Sequence, residues 1–219
     1  MRNGKQLSGL ILGIMIGASP LAAQGFEGVV GLKIFSKGKP MDMTMSLKGG
    51  ISRTDLSAEG HGGVMLMNPQ TKTMTMIMSE EKMYMTMSVA GGDKQDQGPP
   101  KITDLGTRAT VAGRECKNYL VEDGKRTTEV CNSEGLGDFM MGRGPMGQGP
   151  GAEVGDLNGF RTLFPGGFFP LRVTRIKGDQ RTVQLEVTSV EAKTLDASLF
   201  QPPAGFTEMK MPGMGGPGN

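Results

Sequence analysis

The segment MTMIMSEEKMYMTM, residues 74–87, carries methionine at every second position, breaks at four polar residues, and then resumes the same alternation. Alternate residues of a strand share a face, whereas a helix would scatter these six sulfurs around its circumference. Threonine and tyrosine at the intervening positions also favour a strand. With Glu80-Glu81 at the tip, a hairpin sets Met78 opposite Met83, Met76 opposite Met85 and Met74 opposite Met87. Thr75 then faces Thr86, and Ile77 faces Tyr84, on the other side. All six thioethers project from one face.

The alternation continues outward from this hairpin. FEGVVGLKIF (26–35) places Phe26, Val30, Leu32 and Ile34 on one face, and MDMTMSL (41–47) does the same with Met41, Met43, Met45 and Leu47. Lys48-Gly49-Gly50 turns the chain into ISRTDL, and GGVMLM (62–67) leads through Asn68-Pro69 into the opening segment; both are turn chemistry. FFPLRVTRIKGDQRTVQLEVTSVEAK (168–193) reads as a later hairpin. A three-residue loop Gly178-Asp179-Gln180 pairs Val173 with Leu185 and Leu171 with Val187, where a two-residue loop would set valine against glutamine. SEGLGDFMM (133–141) and DLNGFRTLF (156–164), the latter with Asp156 as N-cap, are predicted as short helices. Residues 90–101 and 142–155 are predicted as flexible loops, and 212–219 as a disordered tail. The expected fold is mainly β: a curved antiparallel sheet, a half-barrel wrapped around one or two short helices, forming a single domain over 24–211.

Residues 1–23 have the form of a secretory signal peptide. Arg2 and Lys5 precede an apolar run from Leu7 to Ala18, and Leu21-Ala22-Ala23 offers small residues before the cut. The run is shorter than the roughly 20 residues that span a bilayer. Gln24 stands where a lipoprotein would have cysteine, so a periplasmic or secreted protein without a retained anchor is expected. Export favours a disulfide between the two cysteines, Cys116 and Cys131. Between them, CKNYLVEDGKRTTEVC has Asp123-Gly124 at its centre, a two-residue hairpin signal. Pairing Glu122 with Lys125 puts Cys116 directly opposite Cys131, about 5.5 Å apart at Cα.

GVMLMNPQTKTMTMIMSEEKMYMTM, VAGRECKNYLV, GGFFPLRV and VTSVEAKTLDASLFQPPAGF together resemble the DUF4412 family of exported bacterial proteins, over about residues 26–211. The resemblance implies a fold similar to the LolA/LolB-type lipoprotein carriers, antiparallel half-barrels that hold acyl chains in an apolar cavity. It supplies no catalytic residues. The glycine-rich insert at 142–151 and the density of methionine depart from the carriers.

Methionine is flexible and fills irregular apolar space, and it suits partners of variable shape. Met43, Met45, Met74, Met76, Met78, Met83, Met85 and Met87 are the candidate wall for a hydrophobic small molecule or lipid. They are equally what a packed core would show. Thioethers also select Cu(I), and Met76, Met85, Met209, Met211 and Met214 are the candidate ligands on that alternative. A third reading is a structural or interaction module of the envelope. His61 is the one histidine, no strand-to-helix elbow lies near it, and the glycines of 142–151 open no helix, so the inventory of an active site is missing and no cofactor is implied. Glu80 and Glu81 read as solubilising charges at a hairpin tip. Lys177, Arg172, Arg175 and Arg181 read as an outer charged face. A net charge of +2 with interspersed signs points to no nucleic acid.

Overall fold

The structure, a computed structural model, describes residues 25–36, 39–58, 61–88, 100–124, 126–139, 164 and 166–210. Twelve strands form one sheet: β1 (Gly28–Ser36), β2 (Lys39–Lys48), β3 (Ile51–Ala58), β4 (His61–Asn68), β5 (Thr73–Met78), β6 (Met83–Ser88), β7 (Lys101–Val111), β8 (Arg114–Glu122), β9 (Thr127–Ser133), β10 (Phe169–Lys177), β11 (Gln180–Ala192) and β12 (Thr207–Glu208). Their spatial order is β12-β6-β5-β4-β3-β2-β1-β11-β10-β9-β8-β7. Consecutive hairpins run outward in both directions from the β1–β11 pair. The sheet is mainly antiparallel, curved and open, as the alternation predicts. The predicted pairing of the opening segment holds throughout, from Met74 opposite Met87 to Met78 opposite Met83.

The main core lies on the face carried by Val30, Leu32 and Ile34, each 0–1% exposed. It gathers Met45 and Leu47 from β2, Leu171 and Val173 from β10, and Leu185 and Val187 from β11. Four residues close it from outside the strands, Leu136, Phe139, Phe164 and Phe168, with Phe169 at the start of β10. Asn132, itself buried, holds that cover in place. Its Oδ1 accepts from the Phe169 N–H (2.8 Å) and its Nδ2 donates to the Gly167 carbonyl (3.2 Å). The Phe139 N–H donates to the Phe168 carbonyl at 2.7 Å. Burying an amide is tolerated because each of these polar atoms finds a partner.

Several local expectations are corrected. Ser133 ends β9 and residues 134–139 form a bend and irregular chain rather than a helix, because Gly135 and Gly137 adopt left-handed φ values of 83° and 91°. The second predicted helix, apart from Phe164, falls outside the described residues, as do the signal segment, residues 90–99 of the first loop, residues 142–155 and the tail at 212–219. Lys101, placed in the first loop, begins β7. The one described helical element is a 3₁₀ turn, Ala197–Phe200, whose N-cap Asp196 accepts from Ser198 N at 2.8 Å.

Two hairpin registers also differ. The Cys116–Cys131 disulfide is present, but Cys131 lies opposite Asn118 and the bridge runs diagonally, with Cα atoms 5.3 Å apart. The cause is Asp123. Its Oδ1 accepts from Arg126 N (2.7 Å), and its own N–H donates to the Arg126 carbonyl (3.1 Å). Asp123 therefore becomes a flanking pair with Arg126, and Glu122 meets Thr127 rather than Lys125. The partner shifts by two positions, so the two sulfurs stay on one face. In the later hairpin Val173 does face Leu185, yet the turn is Gly178-Asp179 with Lys177 opposite Gln180. A bulge between Val173 and Thr174 restores the matching faces. The left-handed φ of 58° at Gly178 suits a two-residue turn with glycine first. Pro170 likewise sits at a register shift between β10 and β9, where a missing N–H is tolerated. The expected charged outer face is there as cross-strand ion pairs, Arg172 with Glu186 (3.1 Å) and Arg181 with Glu129.

After β11 the chain crosses back over the sheet as a strap. Glu27 accepts from Lys48 Nζ (2.7 Å) and from Leu195 N (2.5 Å), while Lys48 Nζ also donates to the Leu195 carbonyl (2.7 Å). Arg53 donates to the Leu199 carbonyl at 2.9 Å. Phe206 packs on Val64, Leu66, Ile77 and Tyr84, on the face opposite the main core. β12 then adds to β6 in parallel, the one parallel pair in the sheet as described. The Leu195 N–H, then the Lys48 ammonium, hold the Glu27 carboxyl below its ordinary value of 4.5. A depressed carboxyl contributes stability that is fully present above its unfolded value and is lost as pH falls through the folded one. Melting curves of wild type and Glu27→Gln should differ by a constant amount above about pH 5 and converge as the medium is acidified below the carboxylate range. A gap that persists unchanged as the medium is acidified through and below the carboxylate range would show that the Glu27 charge does not hold the strap.

Candidate functional site

Registers across six strands place the methionines in rows. Met85, Met76 and Met65 lie abreast on β6, β5 and β4, followed by Thr54 on β3, Met45 on β2 and Val30 on β1. The next row is Met87, Met74, Met67, Ser52 and Leu47. The third is Met83, Met78 and Gly63. Because directly paired residues share a face, all three rows lie on the face of the main core. Thr207 pairs with Met83, so alternation beyond it puts Met209, whose N–H donates to the Tyr84 carbonyl at 2.7 Å, beside Met85 on this same face.

The eight methionines predicted as a wall do not form one patch. Met45 is buried in the main core and Met43 packs against it. β3 separates them from the rest by presenting two buried hydroxyl residues, Ser52 (3% exposed) and Thr54 (2%). Beyond β3, Met67 and Met74 form a second, small core with Met65 and Met87 packed against it. Met85 is buried at the sheet's far side. Met76, Met78 and Met83 are half-buried and belong to neither core among the described residues. Met78 and Met83 share the third row with Gly63, which adds no side chain beside Met78, and Met76 stands in the row next to them. Among the described residues, Met67 and Met74 in the row nearest the Asn68–Pro69 turn pack as a core, while Met76, Met78 and Met83 keep partial exposure. Met65 and Met67 were visible in the sequence as a Met-x-Met pair, but only the register places them between β3 and β5. Nothing in ISRTDL distinguishes Ser52 and Thr54 as inward residues until β2 and β4 are paired to it.

A family model described as "Domain of unknown function (DUF4412)" matches residues 26–206. The chain belongs to the DUF4412 family. No curated protein matches it. Among solved structures it is similar to PNGF-II, at 16% identity and a TM-score of 0.46, covering 85% of this chain and 31% of that one. The chain thus spans about a third of that protein's length.

In this DUF4412 chain the sulfurs that could meet a soft metal are the abreast thioethers. No group of three or more His, Cys, Asp or Glu able to hold a metal ion occurs among the described residues. Met76 and Met85 are direct cross-strand partners. Met209 approaches from the sheet edge, and Met211 and Met214 lie outside the described residues. His61 starts β4 opposite Ala58. Both cysteines are committed to the disulfide. No described helix is long and apolar enough to cross a membrane. At the opposite end of the sheet a cleft of about 480 Å³ opens between Tyr119, Phe164 and Ile102, with Asp104, Asn132 and Glu134 at its polar edge. The Tyr119 and Phe164 rings meet edge to face at 4.9 Å.

Proposed function

We propose that this is an exported, non-enzymatic binding protein that holds an apolar, acyl-chain-like ligand against the open methionine corner. The observation that supports this reading is the set of half-buried thioethers Met76, Met78 and Met83, in the row of Gly63 and the row next to it. An apolar wall left partly uncovered, with flexible side chains, suits a hydrophobic partner of variable shape. The disulfide fits an oxidising compartment, periplasmic or extracellular. A second reading, Cu(I) binding, draws on Met65, Met76 and Met85 standing abreast, since three flexible thioethers on neighbouring strands can converge on one soft ion.

Native mass spectrometry of protein purified from its own envelope separates the readings. A copurified hydrophobic adduct is expected, and it should survive Met76→Leu with Met85→Leu, because leucine keeps the wall apolar at similar volume. Copper titration against a competing chelator should instead lose submicromolar binding in that double variant if sulfur ligation is the function. A chain that carries neither adduct nor copper would sink both and leave an interaction module of the envelope.

A further inference from the structure

We propose that the open methionine corner is an oxidant-responsive modification site, in which sulfoxidation of Met76, Met78 and Met83 turns the wall polar and discharges its ligand. The ligand clause rests on the apolar-ligand reading above; the modification clause does not.

Sulfur is the soft target of two-electron oxidants such as hypochlorous acid, and thiols normally take them first. This chain has two cysteines, both locked in one disulfide, and no tryptophan, against 19 methionines. The thioethers are therefore its principal oxidisable groups. Their exposure is graded over a short distance: Met45 and Met67 are 1% exposed and Met74 5%, while Met76, Met78 and Met83 are half-buried. Met78 pairs with both Met83 and Gly63, so an oxidant reaching the gap at Gly63 finds two sulfurs side by side.

The step balances without any group from the protein beyond the thioether. A sulfur lone pair attacks the oxygen of hypochlorous acid, an S–O bond forms and the O–Cl bond breaks. Sulfur is oxidised by two electrons, chlorine leaves as chloride, and the proton goes to solvent. The new sulfoxide oxygen is a strong acceptor set in an apolar wall. Thr207, the hydroxyl residue paired with Met83, is exposed at the sheet edge, the buried hydroxyls Ser52 and Thr54 lie beyond β4, and among the described residues no buried side-chain polar atom is left without a partner. Unable to find a donor inside, the oxygen must face water. That opens the corner and removes the surface an acyl chain would contact. Methionine sulfoxide is reducible enzymatically, so the change is reversible.

The test treats the full exported chain with increasing equivalents of hypochlorous acid, quenches it, and maps added oxygen by peptide mass. A fluorescent long-chain fatty acid reports binding in parallel. Met76, Met78 and Met83 are expected to gain oxygen ahead of Met45, Met67 and Met74, with loss of the bound probe at the same dose and recovery after methionine sulfoxide reductase. Uniform oxidation, or oxidation of Met67 and Met74 first, would overturn the proposal. In the Met76→Leu, Met78→Leu, Met83→Leu variant the probe should stay bound after the same dose; release from that variant would equally overturn it. If untreated wild type never binds the probe, the ligand reading falls by itself. The oxidation map then decides the modification clause alone.

Discussion

Replacing Phe169 by alanine is expected to lower the unfolding free energy by about 3–5 kcal/mol, the range for deleting a fully enclosed phenylalanine. The side chain is 0% exposed and meets the Phe139 ring edge to face at 5.4 Å. It stands where β10 begins, between the strand bodies and the irregular cover that Leu136, Phe139, Phe164 and Phe168 provide. The surrounding sheet cannot collapse into the gap, because β10 is paired on both sides, to β9 and β11. The backbone bond from Phe169 N–H to Asn132 survives the substitution, so the loss reports the ring alone. Equilibrium urea unfolding should show a large fall in midpoint with little change of slope. A loss below about 1 kcal/mol, the average for an arbitrary substitution, would mean that this cluster is not the main core. The methionine corner, on the far side of β3, should bind its apolar probe unchanged at temperatures where the variant is folded.

The hairpin at 74–87 could be read from the sequence because two independent constraints agree there. The period of 2 fixes the faces, and closing the turn over the four residues of SEEK pairs all six methionines, where a register shifted by two would leave two of them unmatched. Where only one constraint operated, the reading slipped. Asp123-Gly124 announced a turn correctly, but the carboxylate of Asp123 caps Arg126, which moves the pairing by two positions; a side-chain bond of this kind has no periodic signature. The bulge between Val173 and Thr174 was equally silent, and a longer turn was inferred in its place. SEGLGDFMM has helical spacing of apolar residues, yet Gly135 and Gly137 take conformations that end a helix. For the methionine rows the sequence placed the sulfurs on one face, as the registers have it. It could not grade them, because exposure depends on which strand lies alongside. β3 supplies hydroxyls at Ser52 and Thr54, and these divide a surface that reads as continuous into the main core at Met45 and the methionine rows of β4 to β6. The strap was missed for a similar reason: Phe206 covers the face opposite the methionines, so β4 and β5 bury apolar residues on both sides, which simple alternation does not anticipate.

Removing the disulfide by replacing Cys116 and Cys131 together with alanine should lower stability by about 3 kcal/mol, the chain-entropy expectation for a loop of this size. The two cysteines are 15 residues apart, and both are buried in the main core at 2% and 3% exposure. Double replacement avoids a free thiol that could pair between molecules. It also leaves two small gaps in the core, so the measured loss should exceed the effect of reduction by dithiothreitol alone, which keeps both sulfurs in place. The bridge ties β8 to β9 and so acts on the end of the sheet that carries the aromatic cover. The β4–β6 region is held independently, by Phe206 on one face and the Met67–Met74 cluster on the other. Hydrogen exchange should therefore rise first in β7, β8 and β9 of the alanine variant while β5 and β6 stay protected. Uniform acceleration across the sheet would show that the domain opens as one cooperative unit, and an unchanged denaturation midpoint would show that the bridge constrains nothing the hairpin does not already fix.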